Sequence, residues 1–342
     1  MKNRLLSLGF LLILLFTVGC KPVMQTEVMQ SGDSDTVKIG FSIDSLVVER
    51  WERDRDVFVT KAKELGAEVN IQNASGDVST QEKQLRYLIS KGVDVLVIVA
   101  ADSNAFYDEV EEAHKKGIKV IAYDRLLVNS DADLYISFDN AMVGTLMAES
   151  LTDKVLVGDN IMMVNGSTTD NNVALVSEGF KRVAYDERWN ITDVTYIDGW
   201  KQELAYDYIN ENIDAVKNVS AIMCGNDAIA GQVIKALSEN RIAGNIPVVG
   251  QDADLDACQR IVEGSQFMTV YKPIDILAET AAEYSVKLAK EGISEELETI
   301  NDGTYNVPCL YITPYAVTGE NIDEMIIESG FHMRSEVYLN VK

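Results

Sequence analysis

The chain has 342 residues, 30 of them Lys or Arg against 54 Asp or Glu, for a formal net charge of −24. That excess of acid argues against a nucleic-acid partner, while 47% hydrophobic residues and only 5 Pro describe a folded protein with material for one large or two medium domains. Two histidines, His114 and His332, leave little for a metal centre or for general acid–base chemistry at neutral pH.

The first 19 residues run from Lys2 and Arg4 through an apolar stretch over 5–16 to Thr17-Val18-Gly19, the order of an export signal. The stretch is too short to cross a bilayer comfortably. A small residue directly before Cys20 resembles the lipobox of bacterial lipoproteins, with Thr17 departing from the usual Leu, and implies lipidation of Cys20. The domain is then extracytoplasmic and meets the membrane only through that anchor. Residues 20–36 carry no hydrophobic period and read as a flexible tether.

Folded sequence begins at 37. Residues 37–43 form a strand, and Phe58, Ala62 and Leu65 place a helix after it. Strand 69–71, a helix marked by Leu85, Leu88 and Ile89, the strand 93–99 with apolar residues on both faces, a helix over 105–116 and the strand 118–122 complete four βα units. The pattern restarts after strand 134–138. It continues with a helix from Met142, strand 161–164, a helix bearing Val176 and Phe180, and strand 194–197. Strand 219–224, a helix bearing Ile229 and Val233, and strand 246–249 follow. Two arrays of similar length predict two doubly wound parallel-sheet α/β lobes. Cys224, Cys258 and Cys309 have no metal or redox spacing, and Cys224 sits in an apolar run as a small hydrophobe would.

Ligands of open parallel sheets bind beyond the carboxyl ends of the strands, and those ends are unusually polar here. They carry Glu49-Arg50-Trp51, Asp124-Arg125, Asp170-Asn171-Asn172, Asp198-Gly199-Trp200, Gly225-Asn226-Asp227, Gln251-Asp252-Ala253-Asp254 and Tyr271-Lys272-Pro273. Asp170, Asn226 or Asp227, and Asp254 precede helices and fit as N-caps, and Lys272 fits as a solvated charge. Caps do not call for two Trp, two Arg and a Lys at equivalent strand ends of both arrays. Planar Asp, Asn and Arg groups pair with vicinal hydroxyls, and a Trp face packs on a pyranose, so the set describes a sugar site.

Residues 43–51, 122–125, 135–140, 170–172, 198–200, 251–254 and 268–273 closely resemble the family of D-xylose-binding proteins of bacterial ABC importers, a resemblance that covers residues 37–335. The resemblance implies a type I periplasmic binding protein fold, with two lobes joined by three crossovers near 139–143, 270–274 and 305–316. The first lobe would hold 37–140 and about 273–308, the second about 141–271 and 312–342. By matching position it implies that Arg50, Asp124, Arg125, Asp170, Asn172, Asn226, Asp252 and Lys272 hydrogen-bond the sugar and that Trp51 and Trp200 pack on its ring. Val173 and Tyr196 stand where the family often has Ala and Trp. No metal or cofactor is implied, and the partners implied are a monosaccharide and an ABC permease.

Three rival functions are compatible with a doubly wound α/β pattern. No glycine is followed by another two residues later, so no dinucleotide fingerprint exists, and Arg and Lys beside Asp252 and Asp254 disfavour a protonated glycosidase acid. A sugar-responsive repressor would need a basic DNA-binding module where the export signal stands. A lobe pair signalling to a membrane histidine kinase or chemoreceptor uses the same cleft and stays open on sequence.

Overall fold

A computed structural model describes residues 36–294 and 296–341 of the chain; the export signal, Cys20 and all but the last residue of the tether lie outside them. In chain order the first lobe runs β1 (Lys38–Ile43), α1 (Arg50–Glu64), β2 (Glu68–Asn73), α2 (Val78–Ser90), β3 (Val95–Val99), α3 (Tyr107–Lys115), β4 (Lys119–Tyr123), β5 (Leu134–Phe138). The second runs α4 (Asn140–Glu149), β6 (Asn160–Asn165), α5 (Asn171–Asp186), β7 (Asn190–Tyr196), a 3₁₀ turn (Asp198–Trp200), α6 (Glu203–Glu211), α7 (Ile213–Val216), β8 (Ala221–Cys224), α8 (Asp227–Glu239), β9 (Val248–Gln251), α9 (Leu255–Glu263) and β10 (Met268–Tyr271). The chain then returns as α10 (Ile274–Lys290), β11 (Glu298–Asn301) and β12 (Asn306–Ile312), crosses again to β13 (Tyr315–Thr318), and ends with α11 (Arg334–Val337).

Two sheets result, ordered β11-β12-β5-β4-β3-β1-β2 and β13-β10-β9-β8-β6-β7. The two doubly wound α/β lobes expected from the alternating pattern are present. Neighbouring strands are parallel except at β11/β12 and β10/β13, which are antiparallel. Those edge pairs were not foreseen. β11 and β12 are joined by four residues, a connection only antiparallel strands can use.

Burial explains which apolar runs became which strands. Every residue of β3, β5, β8 and β10 is buried, as strands with helices on both faces must be. Edge strand β7 alternates exposed and half-buried positions. Apolar side chains fill the space between sheet and helices on both faces of each sheet, and Cys224, Cys258 and Cys309 are buried and free within them.

One helix pair fixes the frame of the site. A Cβ on Gly144 of α4 would lie 1.9 Å from the Val176 carbonyl oxygen, and one on Gly179 of α5 would lie 2.0 Å from the Ala141 oxygen. The two helices therefore meet backbone to backbone, and the N-terminus of α5 is held rigidly where the lobes face each other. The chain passes between the sheets three times, at 139, at 272–273 and at 313–314.

Candidate ligand-binding site

The carboxyl ends of the two sheets enclose a small cavity. All ten residues singled out from the sequence line it: Arg50 and Trp51 in the first turn of α1, Asp124 and Arg125 after β4, Asp170 and Asn172 at the start of α5, Trp200 in the 3₁₀ turn, Asn226 before α8, Asp252 after β9 and Lys272 after β10. Nine of them are buried; Trp200 is half-buried.

The wall from the first lobe is built on two arginines, each held from behind by a carboxylate. Arg50 Nε and Nη2 each donate to Asp54 over 3.1 Å, while its Nη1 lies 2.9 Å from Asp124 Oδ2 and 3.9 Å from Asp252 Oδ1. Arg125 Nη1 donates to Asp44 at 2.8 Å and to the Ala100 carbonyl at 2.7 Å, and its Nε faces Asp170 Oδ2 at 2.8 Å. Both guanidiniums lie near the Trp51 ring, 4.3 and 5.7 Å from its centroid, so the indole orients cations as well as lining the cavity. Asp124 adopts a left-handed φ of 63°, a strained conformation of the kind that clusters at binding sites. Burial alone would raise its pKa, but Arg50, Lys272 and Arg125 outweigh burial and hold the carboxyl below its ordinary value.

The second wall uses helix N-termini. Asp170 Oδ1 accepts from the Asn172 amide at 2.9 Å and Asn226 Oδ1 from the Ile229 amide at 2.9 Å. Both are therefore N-caps as well as cavity residues. Asp254 makes no side-chain cap bond, and Lys272 is 6% exposed and 2.6 Å from Asp252, so the solvated-charge reading of Lys272 does not hold. Asn172 Nδ2 reaches across to the Asp124 carbonyl and carboxylate, each at 3.0 Å. Trp200 packs its ring over Gly166, where a Cβ would lie 2.0 Å from the ring.

Behind this wall, Asp252 (φ 102°) and Ala253 (φ 57°) form a strained turn supported by the fully buried Asp227. Asp227 accepts from Thr269 Oγ1 at 2.6 Å, Gln266 Nε2 at 2.7 Å and the Asp254 amide at 3.2 Å. Burial pushes Asp227 well above the ordinary carboxylate range; the bonds from Thr269 and Gln266 and the Arg260 charge oppose this, and Asp252 adds to it. Burial likewise raises Asp170 against the pull of Arg125.

The sequence reading did not assign Asn165 and Gln251, which also line the cavity at the ends of β6 and β9. Their amide nitrogens donate to the Thr195 and Gly225 carbonyls, and their side-chain oxygens have no protein partner, nor do the indole nitrogens of Trp51 and Trp200. Buried polar groups are almost always paired, so these acceptors and donors are suited to a polar ligand. Their signal in the sequence was position alone, an amide ending an apolar strand. Among the described residues no cluster of His, Cys, Asp and Glu could hold a metal ion, and no helix is long and apolar enough to cross a membrane.

The profile of the periplasmic binding protein domain matches residues 39–293. The D-xylose-binding periplasmic protein of Haemophilus influenzae is 42% identical over 330 residues, covering 95% of this chain and 98% of its own length. That of Escherichia coli K12 is 42% identical over 93% of this chain and 97% of its own. Among solved structures, an ABC transporter solute binding protein from Clostridium phytofermentans with bound β-D-glucose superposes with a TM-score of 0.80 at 27% identity, covering 88% of this chain and 99% of that one. Each of these is a binding protein and none an enzyme.

Proposed function

The chain belongs to the periplasmic binding protein family, and from that premise we propose that it captures D-xylose between its lobes outside the cytoplasm and delivers it to an ABC sugar importer. The observation that carries the reading is the charge balance of the cavity wall. Three cations, Arg50, Arg125 and Lys272, stand against three carboxylates, Asp124, Asp170 and Asp252. Each of these charges is already paired within the protein, so the wall offers strong donors and strong acceptors and leaves no charge for a ligand to neutralise, which suits a neutral polyol rather than an anion or a cation. The indoles of Trp51 and Trp200 supply flat apolar surface for the ring. The relatives at 42% identity support a pentose, and specifically xylose.

Binding proceeds by hinge closure, since the ten residues come from both lobes and can meet one sugar only when the lobes approach. The passages at 139, 272–273 and 313–314 serve as the hinge, and Lys272 lies within one of them. Cys20 carries the lipid that keeps the protein at the membrane near its permease, and Cys20→Ser should move it from the membrane to the soluble fraction of cells. Nothing in the structure favours delivery to a kinase or chemoreceptor instead.

Isothermal titration of the purified domain with D-xylose, D-ribose, L-arabinose and D-glucose tests the proposal. Xylose should bind most tightly, because an epimer such as ribose misplaces one hydroxyl and leaves a buried partner unpaired. Tighter binding of another sugar overturns the ligand assignment, and absence of binding to all four overturns the function.

A further inference from the structure

A second set of bonds joins the lobes outside the cavity. Ser103 and Leu126 follow β3 and β4 in the first lobe; Thr169 and Asn171 stand at the start of α5 in the second, and none of the four lines the cavity. The Ser103 amide donates to the Thr169 carbonyl at 3.0 Å. The Asn171 side-chain oxygen accepts from the Leu126 amide at 2.8 Å and from the Ser103 hydroxyl at 3.3 Å, while that hydroxyl accepts from the Asn171 amide at 3.3 Å. Ser103 is buried, and α5 is locked on α4 through Gly144 and Gly179, so these bonds form only when the lobes as rigid bodies come together.

We propose that Ser103 and Asn171 form an interlobe latch that sets how tightly the protein holds its sugar without setting which sugar it holds. The inference rests on the reading of the cavity as a sugar site closed by lobe movement. Its physical basis is linkage: the apparent dissociation constant is the intrinsic one divided by the closed fraction, and bonds that exist only in the closed form raise that fraction for every ligand alike. All four bonds are neutral, so unlike the ion pairs of the cavity they are insensitive to salt. Asn171 lies between two residues assigned to the sugar and differs from both in lining no part of the cavity, its carboxamide oxygen being taken by the Leu126 amide and the Ser103 hydroxyl of the opposite lobe.

The test uses Asn171→Ala and Ser103→Ala, the second removing only a first-lobe hydroxyl and leaving every residue of α5 unchanged. In calorimetry with D-xylose and with the next-best sugar of the panel, each variant should weaken both by the same factor, roughly 5- to 30-fold, with a faster dissociation rate carrying the loss. The double variant should fall further than either single but by less than the product of the two, because the two side chains share one bond. Without sugar, electron–electron distance measurement between one spin label on each lobe should show a smaller closed population in both variants than in the unmodified chain. An unchanged distance distribution, or a changed ratio between the two sugars, overturns the latch. Failure of the unmodified chain to bind any sugar overturns the sugar reading instead, and the distance measurement still decides the latch.

Discussion

The two walls of the cavity are held in place by opposite means. On the first lobe the binding groups are cations fixed by carboxylates behind them, Arg50 by Asp54 and Arg125 by Asp44, and the cations keep Asp124 ionised. On the second, the groups cap helices or hydrogen-bond to strand-end carbonyls, and their carboxylates, Asp170 and Asp227, are raised by burial. One wall is organised by ion pairs and the other mainly by backbone, with the Lys272–Asp252 pair beside its caps. The site can therefore present charge to a neutral ligand without depending on the ligand to neutralise it.

The largest expected effect comes from breaking the first wall. Arg125→Ala strands two buried carboxylates, Asp44 and Asp170, and removing one partner of a buried pair costs about 3–5 kcal/mol. Xylose affinity should fall by more than about 100-fold in calorimetry, with a lower melting temperature even without sugar. Retention of affinity within about 10-fold would show that the ion pairs are not what organises this wall.

The second wall should break in two separable ways. Asn226→Ser keeps a side-chain oxygen for the α8 cap but shortens the reach into the cavity, whereas Asn226→Ala loses both. Serine should weaken xylose by about 10-fold at nearly unchanged melting temperature, and alanine should add a stability loss of about 1 kcal/mol in denaturant unfolding. Equal stability of the two variants would deny Asn226 its capping role.

pH sharpens the contrast with a smaller effect. Asp124, held low, contributes stability that is complete above the ordinary carboxylate range near 4 and is lost as pH falls through its own lower value. Asp227, held high, contributes stability that is complete below that range and is lost as pH rises through its raised value. The melting temperature of Asp227→Asn should therefore gain on the unmodified chain as pH rises from about 4 to about 8, and that of Asp124→Asn should gain as pH falls below about 4. Parallel curves for all three proteins would mean that neither shift is coupled to folding.

The two walls also differed in how legible they were. Arg50, Arg125 and Lys272 stood out in the sequence as a set with two Trp at the strand ends of both arrays, although Lys272 alone also fitted a solvated charge, and each lines the cavity. Asp170 and Asn226 were ambiguous between cap and ligand group, and the ambiguity was real, since each does both. Asp254 carried the same pattern and makes no cap bond. Asn165 and Gln251 were passed over because an amide at a strand end carries no charge to mark it. The antiparallel edges β11 and β13 escaped notice for a related reason: each is only four residues long with alternating or exposed positions, too short for a periodicity to stand out. Asp44 and Asp54, which hold the arginines, were invisible as partners because their contacts cross the fold or run within one helix turn.

Lobe closure around one sugar is where both walls must act together, and small-angle scattering of the purified domain measures it directly. The radius of gyration should decrease when D-xylose is added to saturation and stay unchanged with a sugar that calorimetry shows not to bind. An identical radius with and without saturating xylose would contradict the account.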